Sequence, residues 1–246
     1  MKKELISKLL VENGFAGSEA KAQALVMAGV VLVDEKRVEK SSERFSREGV
    51  IRIKGQNAAS KFVGRGGLKL EGALESFNIR PNKYVCLDIG SSTGGFTDCL
   101  LQSGAERVYA VDAGTNQLAW KLRNDPRVVV RENVNARYLK ADDFDELFDL
   151  IVMDVSFISV TKILGALMPL LKPSGKIITL IKPQFELPKS DVGKGGVVTD
   201  PEKHRETVAK INNFAGQIGM EVSGLIESPV LGGSGNKEFL ALYERN

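Results

Sequence analysis

Residues 85–101 read V-C-L-D-I-G-S-S-T-G-G-F-T-D-C-L-L. An apolar run over 84–89, carrying one acid at Asp88, breaks into Gly90, Ser91, Ser92, Thr93, Gly94 and Gly95, after which the pattern turns helical. The stretch is a strand, a tight glycine turn and a helix start. In an open α/β sheet this junction receives a nucleotide-like ligand, because the glycines let backbone approach it and the helix N-terminus offers unpaired N–H groups. A second apolar run, 108–111, ends in Asp112, 24 residues after Asp88, where a ribose-binding carboxylate is expected at the tip of the second strand. The loop is not G-x-G-x-x-G, since Ser91-Ser92-Thr93 intervene before Gly94-Gly95. That departure argues against a dinucleotide pyrophosphate.

As it stands, D-x-G-x-x-x-G-G-F over 88–96 resembles the first motif of S-adenosylmethionine-dependent methyltransferases. Their cofactor carries no phosphate and presents an amino acid end to this turn. Strands are predicted at 84–89, 107–112, 127–131, 148–154, 175–181, 221–227 and 238–244, with helical stretches between most of them. Strands alternating with helices imply a parallel sheet with right-handed crossovers. The connection over 228–237 is too short and too rich in Gly and Pro for a crossover helix, so the seventh strand is expected to be antiparallel. The expected fold class is therefore α/β, a Rossmann-like S-adenosylmethionine-dependent methyltransferase with a seven-stranded sheet whose last strand is antiparallel. A small N-terminal α+β domain is expected to precede it.

That first domain is expected over residues 1–55, a linker over 56–63 and the methyltransferase domain over 64–246. Leu5, Ile6, Leu9 and Leu10 recur at helical spacing within 3–12, and Ser18 caps a second helix with Ala22, Leu25, Val26 and Ala28 on one face, ended by Gly29. Short apolar runs at 30–33 and 50–53 supply strands. The pattern S-x-x-K-A-x-x-L-V-x-x-G-x-V-x-V over 18–33 resembles the RNA-binding module first described in the fourth protein of the ribosomal small subunit. It departs at Glu19, usually basic, and at Asp34-Glu35, usually Asn-Gly. Residues 1–60 hold 11 Lys or Arg against 8 Asp or Glu, so the whole formal charge of +3 lies in the first quarter. A basic appendage on a neutral body points to an anionic polymer. Lys2, Lys3, Lys21, Lys36 and Arg37 are the candidate phosphate contacts there.

With 43% hydrophobic residues the chain reads as a packed protein, and no apolar run approaches the roughly 20 residues that span a bilayer. The start Met1-Lys2-Lys3-Glu4 has no signal-peptide core, so a cytoplasmic protein is expected. Cys86 and Cys99 read as buried thiols, and His204, set among charges, as a solvated helix residue; no metal site is expected.

Relatives with this sheet order their strands 3-2-1-4-5-7-6. That order brings Asp154, at the end of strand four, and Lys182, at the end of strand five, to the carboxyl edge. Glu238, at the start of the reversed strand seven, falls at the same edge. Lys69, from the helix opened by the glycine-rich run 64–67, completes a Lys-Asp-Lys-Glu cluster. Two ammoniums and two carboxylates buried together are costly unless paired, which disfavours a purely structural role. The set suits removal of a proton from a ribose hydroxyl. A lysine serves as base when partial burial and a second cation favour its neutral form, while carboxylates oppose that and fix geometry. Lys182 is the expected base, Asp154 and Lys69 position it and the nucleophile, and Glu238 orients the cluster or the ribose. Amino-group methylation would call for an Asn/Asp-Pro-Pro-aromatic tip, but 154–157 reads D-V-S-F. Pyrimidine carbon methylation needs a cysteine after strand four or six, and neither cysteine is there.

The runs 118–128, 154–159, 182–186 and 235–239 resemble the haemolysin A (TlyA) family of ribosomal RNA 2′-O-methyltransferases over nearly the whole chain. The Lys-Asp-Lys-Glu set is similar to that of the heat-shock FtsJ-type enzymes. This resemblance implies S-adenosyl-L-methionine as cofactor, held by Asp88, Gly90, Ser91, Thr93, Gly94, Phe96 and Asp112, with Asn135 and Asp154 near its adenine or methionine end. It implies ribosomal RNA or a ribosomal subunit as partner, with Arg65 and Lys189 as further RNA contacts and no membrane. It implies a cytidine ribose as target, in large-subunit (23S) RNA first, because the dual-target subtype carries a C-terminal extension, with small-subunit (16S) RNA kept open as a second target. Two rival classes are a membrane-damaging haemolysin, for which no bilayer-suited segment is found, and a non-catalytic RNA-binding protein, which would show damaged motifs.

Overall fold

The computed structural model describes residues 3–13, 15–34, 36–46, 51–53 and 61–245. Lys2 and residues 56–60 of the expected linker lie outside the described residues.

The N-terminal part comprises β1 (Lys3–Leu5), α1 (Ile6–Glu12), α2 (Glu19–Met27), β2 (Val31–Val33), β3 (Lys36–Arg37), β4 (Arg44–Ser46) and β5 (Ile51–Ile53). The two helices pack on small sheets ordered β3-β2-β5 and β1-β4. Residues 3–5 were expected to begin the first helix but form a strand, pairing Lys3 with Ser46 and Leu5 with Arg44. The helical stripe is carried by Ile6, Leu9 and Leu10 alone, and the amide of Ile6 donates to the carbonyl of Glu43 at 2.8 Å. Ser18 caps α2 as expected, accepting from the amide of Lys21. Gly29, at φ +68°, ends that helix, although Ala28 is exposed rather than on the buried face. Ile6, Leu9, Leu10, Ala22, Val26, Val31 and Ile53 form a core of their own.

The larger part begins with α3 (Gly66–Ser76) and continues with β6 (Val85–Ile89), α4 (Gly95–Gln102), β7 (Arg107–Val111), α5 (Trp120–Arg123), β8 (Val128–Arg131) and β9 (Phe148–Met153). It is completed by α6 (Thr161–Leu167), β10 (Leu171–Ile181), α7 (Pro183–Glu186), α8 (Pro201–Gln217), β11 (Met220–Glu227) and β12 (Phe239–Arg245). Seven strands line up as β8-β7-β6-β9-β10-β12-β11, the expected order, with β12 antiparallel to both neighbours. The inner strands read as continuous apolar runs because helices cover both faces. Along them the side chains alternate between two cores. Leu87, Ile89, Ile151, Met153, Ile177 and Ile181 face one side, while Cys86, Leu150, Val152, Ile178 and Leu180 face the side covered by α3 and α4. On α3, Leu70, Ala73 and Leu74 are buried against the sheet and Leu68 is exposed. Residues 61–63 pack onto this domain: the ring of Phe62 lies where a Cβ on Gly67 would be, and the amide of Val63 donates to Asp98 Oδ2 at 2.8 Å.

Candidate active site

Because side chains alternate along a strand, a residue two beyond a core position shares its face. Asp154 follows Val152 by two, Lys182 follows Leu180 by two, and Glu238 precedes Leu240 by two; Val152, Leu180 and Leu240 all belong to the core under α3. Parallel β9 and β10 and antiparallel β12 therefore aim three charged tips at α3 from the same edge. Lys69 of α3 meets them there.

Two ion pairs result. Lys182 Nζ lies 2.5 Å from Asp154 Oδ1, and Lys69 Nζ lies 2.5 Å from Glu238 Oε2. Lys69, Lys182 and Glu238 are buried and Asp154 is half-buried. The position a Cβ would take on Gly66, one turn before Lys69, is 3.9 Å from Asp154 Oδ2, which sets the start of α3 against the Lys182–Asp154 pair. Lys182 also donates to Ser156 Oγ at 2.9 Å, and Gln184 Nε2 approaches Glu238 Oε1 at 3.4 Å. The loop over 232–236 passes so close that a Cβ on Gly232 would overlap Glu238 Oε1. Each of these four side chains has an opposite partner, which offsets the cost of taking it out of water.

The glycine turn lies beside this cluster. Gly90 has φ +80°, and a Cβ there would stand 2.3 Å from the carbonyl oxygen of Asp154, so only glycine fits. The amides of Gly90 and Ser91 both donate to the carbonyl of Val111, joining the turn to the tip of β7. Asp112 accepts the amide of Ser92 at 2.8 Å and that of Gly114 at 2.7 Å, so two acids 24 residues apart in sequence frame one turn. Asp88 is fully buried; its Oδ2 accepts from the Thr97 hydroxyl at 2.6 Å, while Oδ1 has no hydrogen-bond partner among the described residues. Burial pushes its carboxyl up to about 7, against the opposing pull of Thr97 and with the charge of Asp154 adding to the rise.

The remaining expected cofactor residues are placed unevenly. Ser91 is buried in the turn, Thr93 is exposed and Gly94, at φ +96°, leads into α4. Phe96 is buried in the core beneath α3 and α4. Asn135 caps the short helical turn Ala136–Tyr138, its side-chain oxygen accepting from the amide and guanidinium of Arg137. Lys3, Lys21, Lys36, Arg37, Arg65 and Lys189 are exposed, Arg65 donating to the carbonyl of Leu231 at 3.2 Å. His204, expected in solvent, is buried: its Nε2 lies 3.0 Å from the carbonyl of Val198 and its ring meets Phe239. Its charged neighbours in sequence hid that it lies on the inward face of α8 with Thr207, Val208, Ile211 and Ala215.

Sequence reading missed Ser156 and the aromatic pair Phe157 and Phe185. Their rings lie 4.9 Å apart, Phe157 is 90% exposed and its φ is +65°. A bulky residue rarely adopts that backbone conformation or leaves an entire ring in water. The run D-V-S-F-I-S was legible as a motif, but the strained backbone was not.

Two half-buried acids, Asp112 and Asp154, beside a glycine turn with no room for a side chain at Gly90 fit a ligand that carries a hydroxylated sugar and a positive charge. Among the described residues no cluster has metal-ligand composition, and no helix is long and apolar enough to cross a membrane.

Comparison with known proteins gives matches across this architecture. The model of the FtsJ-like methyltransferase family matches residues 62–245. YqxC of Bacillus subtilis, named as a candidate rRNA methyltransferase, is 47% identical over 240 residues, covering 97% of this chain and 85% of the relative. The 16S/23S rRNA (cytidine-2′-O)-methyltransferase TlyA of Mycobacterium tuberculosis is 43% identical over 230 residues, covering 94% and 85%. A solved structure described as a candidate hemolysin from Streptococcus thermophilus is 42% identical, with a TM-score of 0.76, covering 100% of this chain and 90% of that one.

Proposed function

The chain belongs to the FtsJ-like methyltransferase family, and from that premise we propose that it moves a methyl group from S-adenosyl-L-methionine to the ribose 2′-hydroxyl of a cytidine in ribosomal RNA. Large-subunit RNA is the first candidate. The observation that carries this reading is the pair of 2.5 Å contacts, Lys182 with Asp154 and Lys69 with Glu238, gathered at one edge of the sheet.

When bound, S-adenosylmethionine supplies a methyl group made electrophilic by its positive sulfur. Gly90, Ser91, Thr93, Gly94 and Asp112 would hold it along the turn, and Asp88, buried beneath, ties the end of β6 to Thr97 of α4. Lys182 then has one task, to take the proton of the 2′-hydroxyl onto the lone pair of its neutral amine, ending the step as the ammonium. Asp154 and Ser156 each engage its Nζ, which fixes the direction of the remaining position toward the hydroxyl. Lys69, anchored on Glu238, brings a second cation to the site. The exposed ring of Phe157, backed by Phe185, offers a face on which an unstacked base can rest, the usual way single-stranded RNA is held. Lys3, Lys21, Lys36, Arg37, Arg65 and Lys189 would meet phosphates. On this reading the protein works where ribosomes are, in the cytoplasm.

The relative TlyA is named for both ribosomal subunits, and one experiment reads both. Mapping of 2′-O-methyl groups on small- and large-subunit RNA, from cells with and without the gene, is expected to show a cytidine ribose in large-subunit RNA that loses its methyl group when the gene is absent. Identical maps would overturn the assignment, and loss confined to small-subunit RNA would overturn its large-subunit part.

A further inference from the structure

Glu186 is a buried carboxylate to which the transfer just described gives no part. It closes α7, four residues after Lys182, and is 6% exposed. Its Oε1 accepts the amide of Val160 at 2.8 Å, and Val160 lies six residues beyond Asp154 on the loop after β9. From the other side, Lys210 of α8 donates to the Glu186 main-chain carbonyl at 3.0 Å, pinning the end of α7 to a long helix. Between these anchors lie the contacts the proposed chemistry needs, Lys182 with Asp154 and Ser156, and Phe157 with Phe185. α7 has only four residues, too few to hold a fixed orientation by its own hydrogen bonds. A buried hydrogen bond across the two loops supplies what the helix lacks. Glu186 Oε2 is buried with no hydrogen-bond partner among the described residues, a cost a merely apolar packing position would not carry.

We propose that Glu186 is a positioning residue: its carboxylate straps the loop after β9 to the loop after β10 and so keeps Lys182 against Asp154 and Ser156. The role in catalysis rests on the methyl-transfer reading above, whereas the strapping itself does not. What the strap needs is an acceptor at the right distance, so glutamine should serve and a shorter or truncated side chain should not.

The full chain carrying Glu186→Ala, Glu186→Asp or Glu186→Gln tests this in two ways. In the protein alone, amine acetylation read by peptide mass spectrometry compares buried Lys182 with exposed Lys189. The ratio is expected to rise at least fivefold in the alanine and aspartate variants and to stay within twofold of the parent in the glutamine variant. In methyl transfer to ribosomal RNA, the alanine variant is expected to lose at least tenfold in kcat, with KM for RNA and Kd for the cofactor within threefold, and glutamine to restore kcat to within threefold. If alanine prevents folding, the aspartate variant carries both readouts. Parent-like labelling and kcat in the shortened variants, or a glutamine variant as impaired as alanine, would overturn the strap. If labelling rises as expected but the parent chain methylates no ribose, the methyl-transfer reading falls and the strap stands.

Discussion

Asp88 faces α4 because it alternates with Leu87 and Ile89 on β6, and there its Oδ2 accepts from the Thr97 hydroxyl. In the unfolded chain its carboxyl ionises near 3.8, and in the fold burial moves this up to about 7. Below about pH 4 both states carry the proton and the shift contributes nothing. Between those values the unfolded state ionises first, so stability falls as pH rises, and above about 7 the loss levels off on the order of 4 kcal/mol. Asp88→Asn removes this dependence. Relative to the parent, the variant is expected to be more favoured at pH 8 than at pH 4 by several kcal/mol, measured by denaturant unfolding at the two values. An equal difference at both would contradict a neutral buried carboxyl. The tetrad belongs to the same scale and was legible in sequence, since strand order and alternation dictate where Asp154, Lys182 and Glu238 emerge. Ser156, Glu186 and Phe157 were not legible, because their roles depend on loop paths that periodicity does not encode.

The turn over 90–94 is the element on which both halves of the site depend. Gly90 sits at φ +80° directly under the Asp154 carbonyl, so a methyl group there meets backbone and cannot be relieved by a rotamer. Gly90→Ala is expected to cost at least about 2 kcal/mol, lowering Tm by about 4–8 °C, and to reduce cofactor affinity together with activity. A thermal melt matching the parent would contradict that close approach. Strands were the most readable elements: the buried runs of β6, β7 and β9 end within one residue of their expected limits. β10 begins at Leu171, ahead of the expected 175, because the chain pairs with β9 at Leu171 and resumes at Lys176 past an irregularity. β1 escaped because Leu5 fits a helical stripe as well as a strand, and only the distant partner β4 decides between them.

At the scale of the whole molecule, two sets of cores do not mix. The N-terminal core draws on residues up to Ile53, and the two sheet cores draw on Phe62 and beyond. A chain of residues 61–246 is therefore expected to fold and bind S-adenosylmethionine with a Kd within a few-fold of the full chain. Its affinity for ribosomal RNA should be weaker and less sensitive to salt, since the lysines and arginine of the first domain no longer release counterions. A fragment with the full chain's salt slope would remove the first domain from RNA binding. The division of labour assigned to that chemistry is tested most directly by one comparison. Ribosomal RNA incubated with labelled S-adenosylmethionine and either the parent chain or Lys182→Ala is digested to nucleosides and resolved by mass. Label in 2′-O-methylcytidine from the parent, at least a thousandfold less from the variant, and cofactor affinities within a few-fold of each other are the predicted result. Label on a base, or transfer by the variant at the parent's rate, would contradict Lys182 as the group that takes the ribose proton.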